Sequence, residues 1–487
     1  MRHSTRSAAA LILLVASLAW TAFPRHARAQ TPDDPFFDWD LERYRISRVP
    51  GDPSGGMLPL PAPAGAVEGP GIIALSVSGA AAGITQPHVP LEESDGLNLP
   101  DGARVRVEIE GMIPLPLLNL RAQIAGRYLL DHDQRPTGGW LDRSIYWIDS
   151  RTEIRAGRCR SFWGDASEGS LLLGRNAPPL EMIRVRSVRP WQLPGLGGRA
   201  AGRIQASAFL AYLNDGARVI PDPLLHGERL EWEPTGFARL SLSRTILLGG
   251  AGRTQRLTLR DIGNILLARN ENTKDPTLIS NSDQKASMGI ELRLPPDVAT
   301  AHTRGLLEGG RFFYEYAGED GPHPIIPRAP AHAFGFTVAL HGWVALMEFA
   351  DTMNRANHWY THWIYGPQAY FYKGFCLGHP MGTLGWSRHV RVWTPPWERV
   401  RAQAWLRVRG HTEADPSGGA LPDTPRREDS IGFGLRHDFF TGEILDAQFE
   451  GYREAGSAVP RPKAPVRWRA SIGIRIGASG PPIGAQE

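Results

Sequence analysis

From about residue 71 onward, apolar and polar positions alternate one by one along much of the chain. Val105, Val107 and Ile109 alternate with Arg104, Arg106, Glu108 and Glu110, and residues 121–130 run similarly. Ile154 and Ala156 alternate with Glu153, Arg155 and Gly157, and Leu240 and Leu242 with Arg239, Ser241 and Ser243. Ile290, Leu292 and Leu294 alternate with Glu291 and Arg293. Val400, Ala402, Ala404, Leu406 and Val408 alternate with Arg401, Gln403, Trp405, Arg407 and Arg409. Val466, Trp468, Ala470, Ile472, Ile474 and Ile476 alternate with Arg467, Arg469, Ser471, Gly473 and Arg475. Successive side chains of a strand point to opposite faces, so each segment predicts a strand with one apolar and one polar face.

A soluble β-sandwich produces the same pattern, because only one of its faces packs on a core. Three features point instead to a barrel in a membrane. The segments often run about ten residues, longer than the usual five or six. Their polar faces are dense in Arg and Glu, as a water-facing lumen requires. Turn-rich intervals recur at 131–142, 215–229, 269–285, 317–331 and 411–430, as surface loops would. Closure also removes the sheet edges that lipid does not tolerate. At about 25 residues per strand and connection, residues 71–487 predict an all-β, antiparallel transmembrane barrel of roughly 16–18 strands.

The N-terminal residues assign the compartment. Arg2, His3 and Arg6 precede an apolar run from Ala8 to Trp20, and Ala27-Arg28-Ala29 matches a cleavage site, so residues 1–29 read as a signal peptide. Residues 30–70 are rich in Pro, Gly and acidic side chains and read as a periplasmic lead-in with a short helix near 37–46. Past the signal, no apolar run is long enough for a membrane-spanning helix. The 15 Trp residues suit membrane interfaces. A net charge of +4 gives no sign of a nucleic-acid partner. Cys159 and Cys376, far apart in sequence, make no disulfide framework.

Several segments carry a more specific signal. They are Trp163-Gly164 with residues 171–180, then 230–244, 285–294, 314–320, 347–352 and 370–382. In order and spacing these resemble the Wzi family of capsule assembly proteins. The resemblance implies a monomeric outer-membrane barrel of about 18 strands that attaches capsular or exported polysaccharide to the cell surface. A general porin and an outer-membrane glycan hydrolase are the alternative classes.

For polysaccharide contact the candidate residues are Arg311, Glu315, Glu319 and Asp320, together with Trp359, Tyr360, Trp363 and Tyr365. Carboxylates accept hydrogen bonds from sugar hydroxyls, and polar-tipped aromatic rings in a loop stack on sugars. The same residues suit a wet lumen and an interfacial aromatic girdle. Glu348 falls in phase with Val344 and Leu346, which predicts a β-bulge or a loop edge beside it. His358 and His362 have the i, i+4 spacing of a helical zinc pair but lack a third ligand and the accompanying Glu. His379, between Gly378 and Pro380, reads as part of a tight turn. No nucleophile motif, cofactor or metal is implied.

Overall fold

The protein is described from a computed structural model. It covers residues 73–477, except 83–101, 116–119, 131–136, 194–201, 253–281, 320–327, 354–358, 413–424, 439–443, 456–465 and the single residues 150, 160, 175, 189, 217, 363, 367, 396, 398 and 399. The signal peptide, the lead-in with its short helix, His358, Asp320 and Trp363 therefore lie outside the described residues.

The strands in chain order begin with β1 (Ile73–Ala82), β2 (Gly102–Leu115), β3 (Leu120–Leu130), β4 (Thr137–Ile148), β5 (Thr152–Cys159), β6 (Leu180–Ser187) and β7 (Trp191–Gln192). There follow β8 (Arg203–Tyr212), β9 (Leu224–Thr235), β10 (Ala238–Leu248), β11 (Ser282–Leu294), β12 (Leu307–Glu319), β13 (Arg328–Leu340) and β14 (Trp343–Asp351). The last are β15 (Phe371–Tyr372), β16 (Phe375–Cys376), β17 (Leu384–Trp393), β18 (Val400–Thr412), β19 (Pro425–Asp438), β20 (Ile444–Ala455) and β21 (Val466–Gly477). A helix, α1 (Pro296–Thr303), lies between β11 and β12.

Every long strand pairs antiparallel with its neighbours in sequence, and β1 also pairs with β21 in continuous register from Ala74↔Gly477 to Ala82↔Arg469. That pair joins the first strand to the last and closes the sheet. Setting aside the two-residue β7 and the separate β15–β16 hairpin, 18 strands form the wall. The barrel expected from alternation is present at the upper end of the expected strand range.

Burial follows the alternation. On β10, Leu240 and Leu242 are exposed while Arg239, Ser241, Ser243 and Thr245 are buried. On β18 and β19, Leu406, Ile431, Phe433 and Leu435 face out, and Gln403, Trp405, Arg407, Arg409 and Ser430 face in. Most connections at one end are short, such as 236–237 and 341–342, with 188–202 and 295–306 the longer ones there, whereas the other end carries 160–179, 249–281 and 352–383. Outer-membrane barrels put short turns in the periplasm and long loops outside, which orients this one.

One local expectation is corrected. β14 pairs with β13 and β17 without a register shift, so no bulge or loop edge accompanies Glu348. Leu346, Glu348 and Ala350 all face inward and are buried. An apolar residue is tolerated on that face because the lumen is packed rather than wet.

Candidate functional site

An 18-strand barrel is wide enough to hold an aqueous channel, yet many of the described inward charged side chains, among them Glu153, Arg184, Arg239, Glu291, Glu348, Arg407 and Arg409, are buried. Two connections from the long-loop end fold in and pack on the described part of the lumen wall. The first is residues 161–174, following β5. Trp163 N–H donates to Leu173 O at 2.9 Å, making a narrow hairpin. The Trp163 ring packs 5.1 Å from Phe209 on β8. A side chain at Gly227 on β9 would collide with both rings, so glycine makes the space there.

The tip of this hairpin carries two carboxylates. Asp165 bonds to Arg239 on β10, and its carbonyl accepts from Arg311 Nη2 on β12 at 2.5 Å. Arg239 also binds Glu291, and Glu231 at 3.1 Å; Arg293 binds Glu291 at 2.6 Å and Glu233 at 3.2 Å. Three residues on, Glu168 accepts from Arg409 at 2.7 Å and Arg407 at 3.1 Å on β18, with Arg391 of β17 at 3.5 Å and His389 at 3.1 Å. Burial by itself would raise the Glu168 pKa, but Arg407, with Arg409 and Arg391, holds it well below the usual carboxylate range. Between these anchors, Glu348 accepts Ser167 N–H at 2.7 Å, Ser167 Oγ–H at 2.8 Å and Glu168 N–H at 3.1 Å.

Arg239, Glu348, His389 and Arg407, four of the wall residues that grip the hairpin, lie on one belt of directly paired positions, and Arg311, Arg391 and Arg409 each lie two residues along their strand from it. Arg239 pairs with Glu291, Glu291 with Phe313, Phe313 with Gly335, and Gly335 with Glu348. Glu348 pairs with His389, His389 with Arg407, and Arg407 with Ser430. A belt that runs through seven consecutive strand pairings grips a segment inserted across the lumen from several sides.

The second infolded connection, within residues 352–383, packs on the other side of the hairpin. Tyr360 Oη–H donates to Leu171 O at 2.5 Å and accepts His379 N–H at 2.8 Å. Gly174 N–H donates to Leu377 O at 2.7 Å, and Asn176 Nδ2 to Cys376 O at 3.2 Å. The β15–β16 hairpin turns through Lys373 and Gly374, both at positive φ, where glycine removes the Cβ penalty. Arg218, from the 213–223 connection, donates to Ala369 O at 2.5 Å and to Phe371 O. Lys285 Nζ lies 4.6 Å from the Tyr370 ring and 5.1 Å from that of Trp359, with Asp283 at 3.7 Å. His379 is buried and its Nδ1 faces Met381 N–H at 3.4 Å, the geometry of a neutral imidazole. Burial, reinforced by Arg409, pushes its pKa down to about 3.

Most of the residues proposed for sugar contact are parts of this packing. Arg311 holds the hairpin tip, and Glu315 is buried beside Ser287 and the Leu171 backbone. Glu319 ends β12, its backbone paired with Lys285. Trp359, Tyr360 and Tyr365, the described loop candidates for carbohydrate contact, are all buried; Tyr360 and Tyr365 find backbone acceptors inside, the latter Gly249 O at 3.1 Å. Cys159 and Cys376 are free buried thiols within the same cluster as Trp163 and Leu171. Among the described residues, no group of three His, Cys, Asp or Glu side chains is arranged to hold a metal ion. Sequence reasoning missed Asp165, Glu168 and their partners Arg239, Arg391, Arg407 and Arg409. Two acids three apart beside Trp163-Gly164 were visible as a motif, but nothing local showed that they turn inward.

The family described as capsule assembly protein Wzi matches residues 123–440. Among solved structures, the Escherichia coli outer-membrane protein Wzi, described as involved in group 1 capsule assembly and as a carbohydrate-binding β-barrel, superposes with a TM-score of 0.60 at 17% identity, covering 83% of this chain and 84% of that one. The Pseudomonas aeruginosa protein OccK2, solved with glucuronate, superposes at 0.48 and 9% identity, over 84% of this chain and 98% of that one. No curated protein sequence matches this chain.

Proposed function

Because this chain belongs to the capsule assembly protein Wzi family and is an outer-membrane β-barrel, we propose that it binds a capsular or exported polysaccharide and holds it at the cell surface without catalysing bond cleavage. The observation that carries this reading is the filled lumen. Asp165 and Glu168 occupy the inward arginines that would otherwise line a solute path. A barrel packed in this way serves as a rigid platform, and the long connections at the end away from β1's start present its binding face. Many weak hydrogen bonds and stacking contacts, repeated along a polymer, raise avidity over a single contact by roughly 10²- to 10⁴-fold. The E. coli relative's description as carbohydrate-binding supports the same reading. On this account the protein acts as a monomer in outer-membrane lipid and needs no cofactor.

The test is a deletion strain. Cell-bound polysaccharide should fall and polysaccharide in the medium should rise, with both restored by the wild-type gene. Unchanged cell-bound polysaccharide, with no excess released, would remove the proposal. Shortening of purified polysaccharide chains by the purified protein would replace it with the hydrolase reading.

A further inference from the structure

Residues 161–174 cross the lumen rather than lie along one wall. Asp165, six residues beyond the end of β5 at Cys159, grips Arg239 on β10 and Arg311 on β12. Three residues on, Glu168 grips Arg407 and Arg409 on β18. Neighbouring strands lie about 4.8 Å apart, so the six strand steps from β10 to β18 take up about 30 Å of wall, which this short tip bridges from the inside. The chain then returns to Gly174, which bonds Leu377.

Such a strap gains little from local structure and depends on its ends and tip. The two tip carboxylates sit in mixed-charge sets. Asp165, Glu231, Glu233 and Glu291 face Arg203, Arg229, Arg239, Arg293 and Arg311. Glu168 and Glu450 face Arg391, Arg407 and Arg409, with Glu348 close by on the hairpin backbone. The negative charge contributed by the strap is thus part of what neutralises the lumen wall.

We propose that residues 161–174 are a strap latched by Asp165 and Glu168, and that unlatching it turns the barrel into a conduit for small inorganic ions. The charge balance fixes the selectivity in advance. Losing the strap's two carboxylates leaves the wall arginines in excess, and rings of Arg favour anions. Losing wall arginines instead leaves carboxylates in excess and favours cations. A leak through a misfolded barrel would not reverse sign between the two variants.

The experiment uses the full-length protein, with folding checked by its faster migration in unboiled detergent gels. Asp165→Asn/Glu168→Gln and, separately, Arg239→Gln/Arg409→Gln are reconstituted into planar bilayers with potassium chloride gradients. In parallel, the native thiols Cys159 and Cys376 are probed with a membrane-impermeant maleimide. Both variants should show discrete openings and labelling approaching both cysteines, with anion selectivity in the first and cation selectivity in the second. Wild type should label at background. A folded variant that stays insulating, keeps its thiols protected, or shows the same selectivity as the other variant overturns the proposal. None of these outcomes touches polysaccharide retention, which the deletion strain tests separately.

Discussion

Ile431 is the seventh residue of β19, 66% exposed and paired across the sheet with outward-facing Leu406. Phe433, Leu435 and Phe449 surround it on the same outer face. In a lipid-facing wall, Arg at this mid-strand level costs about 2–4 kcal/mol, falling to about 0–1 kcal/mol near the interfaces. In a soluble protein the same exposed position would tolerate Arg within about 0.5 kcal/mol. Ile431→Arg should therefore lower the folding equilibrium constant by roughly 30- to 700-fold. Leu306→Arg, in the connection before β12 and 52% exposed, is the control at the barrel rim and should change it little. Guanidinium unfolding of both variants in phospholipid vesicles, followed by tryptophan fluorescence, reads the difference. Equal and small costs at the two positions would refute the assignment of this face to lipid.

Three further outcomes follow from the packed lumen. Glu348→Gln puts an amide NH2 against the Ser167 and Glu168 donors that one of its carboxyl oxygens accepts and should destabilise the barrel by about 1–3 kcal/mol in the same unfolding assay. Gly335→Val puts a side chain against the Phe313 ring and Glu348 and should cost about 1–3 kcal/mol by overpacking, read as a lowered midpoint with an unchanged slope. His379 binds its proton more weakly in the fold, at about 3 against an ordinary value near 6.5. The unfolded chain thus takes up the proton first, so stability is complete above about pH 6.5 and declines as pH falls toward 3. His379→Gln should flatten that part of the thermal-stability profile, and an unchanged slope would contradict the neutral buried imidazole.

The wall was legible because a strand's two faces differ at every second residue, as Gln403, Trp405, Arg407 and Arg409 show against Ala404 and Leu406. Strand pairing adds only nearest-neighbour contacts in chain order, so topology followed from the strand series. The plug was not legible, because its partners are remote in sequence. Glu168 meets Arg409, 241 residues away, and nothing near Glu168 encodes that contact. The same blindness explains Glu348. A wet lumen would exclude Leu346 from that face, but the infolded segments give it apolar company, so the alternation breaks without a bulge. The burial of Trp359, Tyr360 and Tyr365 was hidden for a related reason. A polar tip on a ring suggests a wet surface until a buried carbonyl is found to accept it.

Under the proposed function the barrel, packed by its own infolded loops, is a platform rather than a pore. Planar-bilayer recording of the wild-type protein decides between the two. Inserted, heat-modifiable barrels should leave the membrane as insulating as lipid alone. Steady ohmic steps from the same preparation would contradict the account and return the protein to the porins.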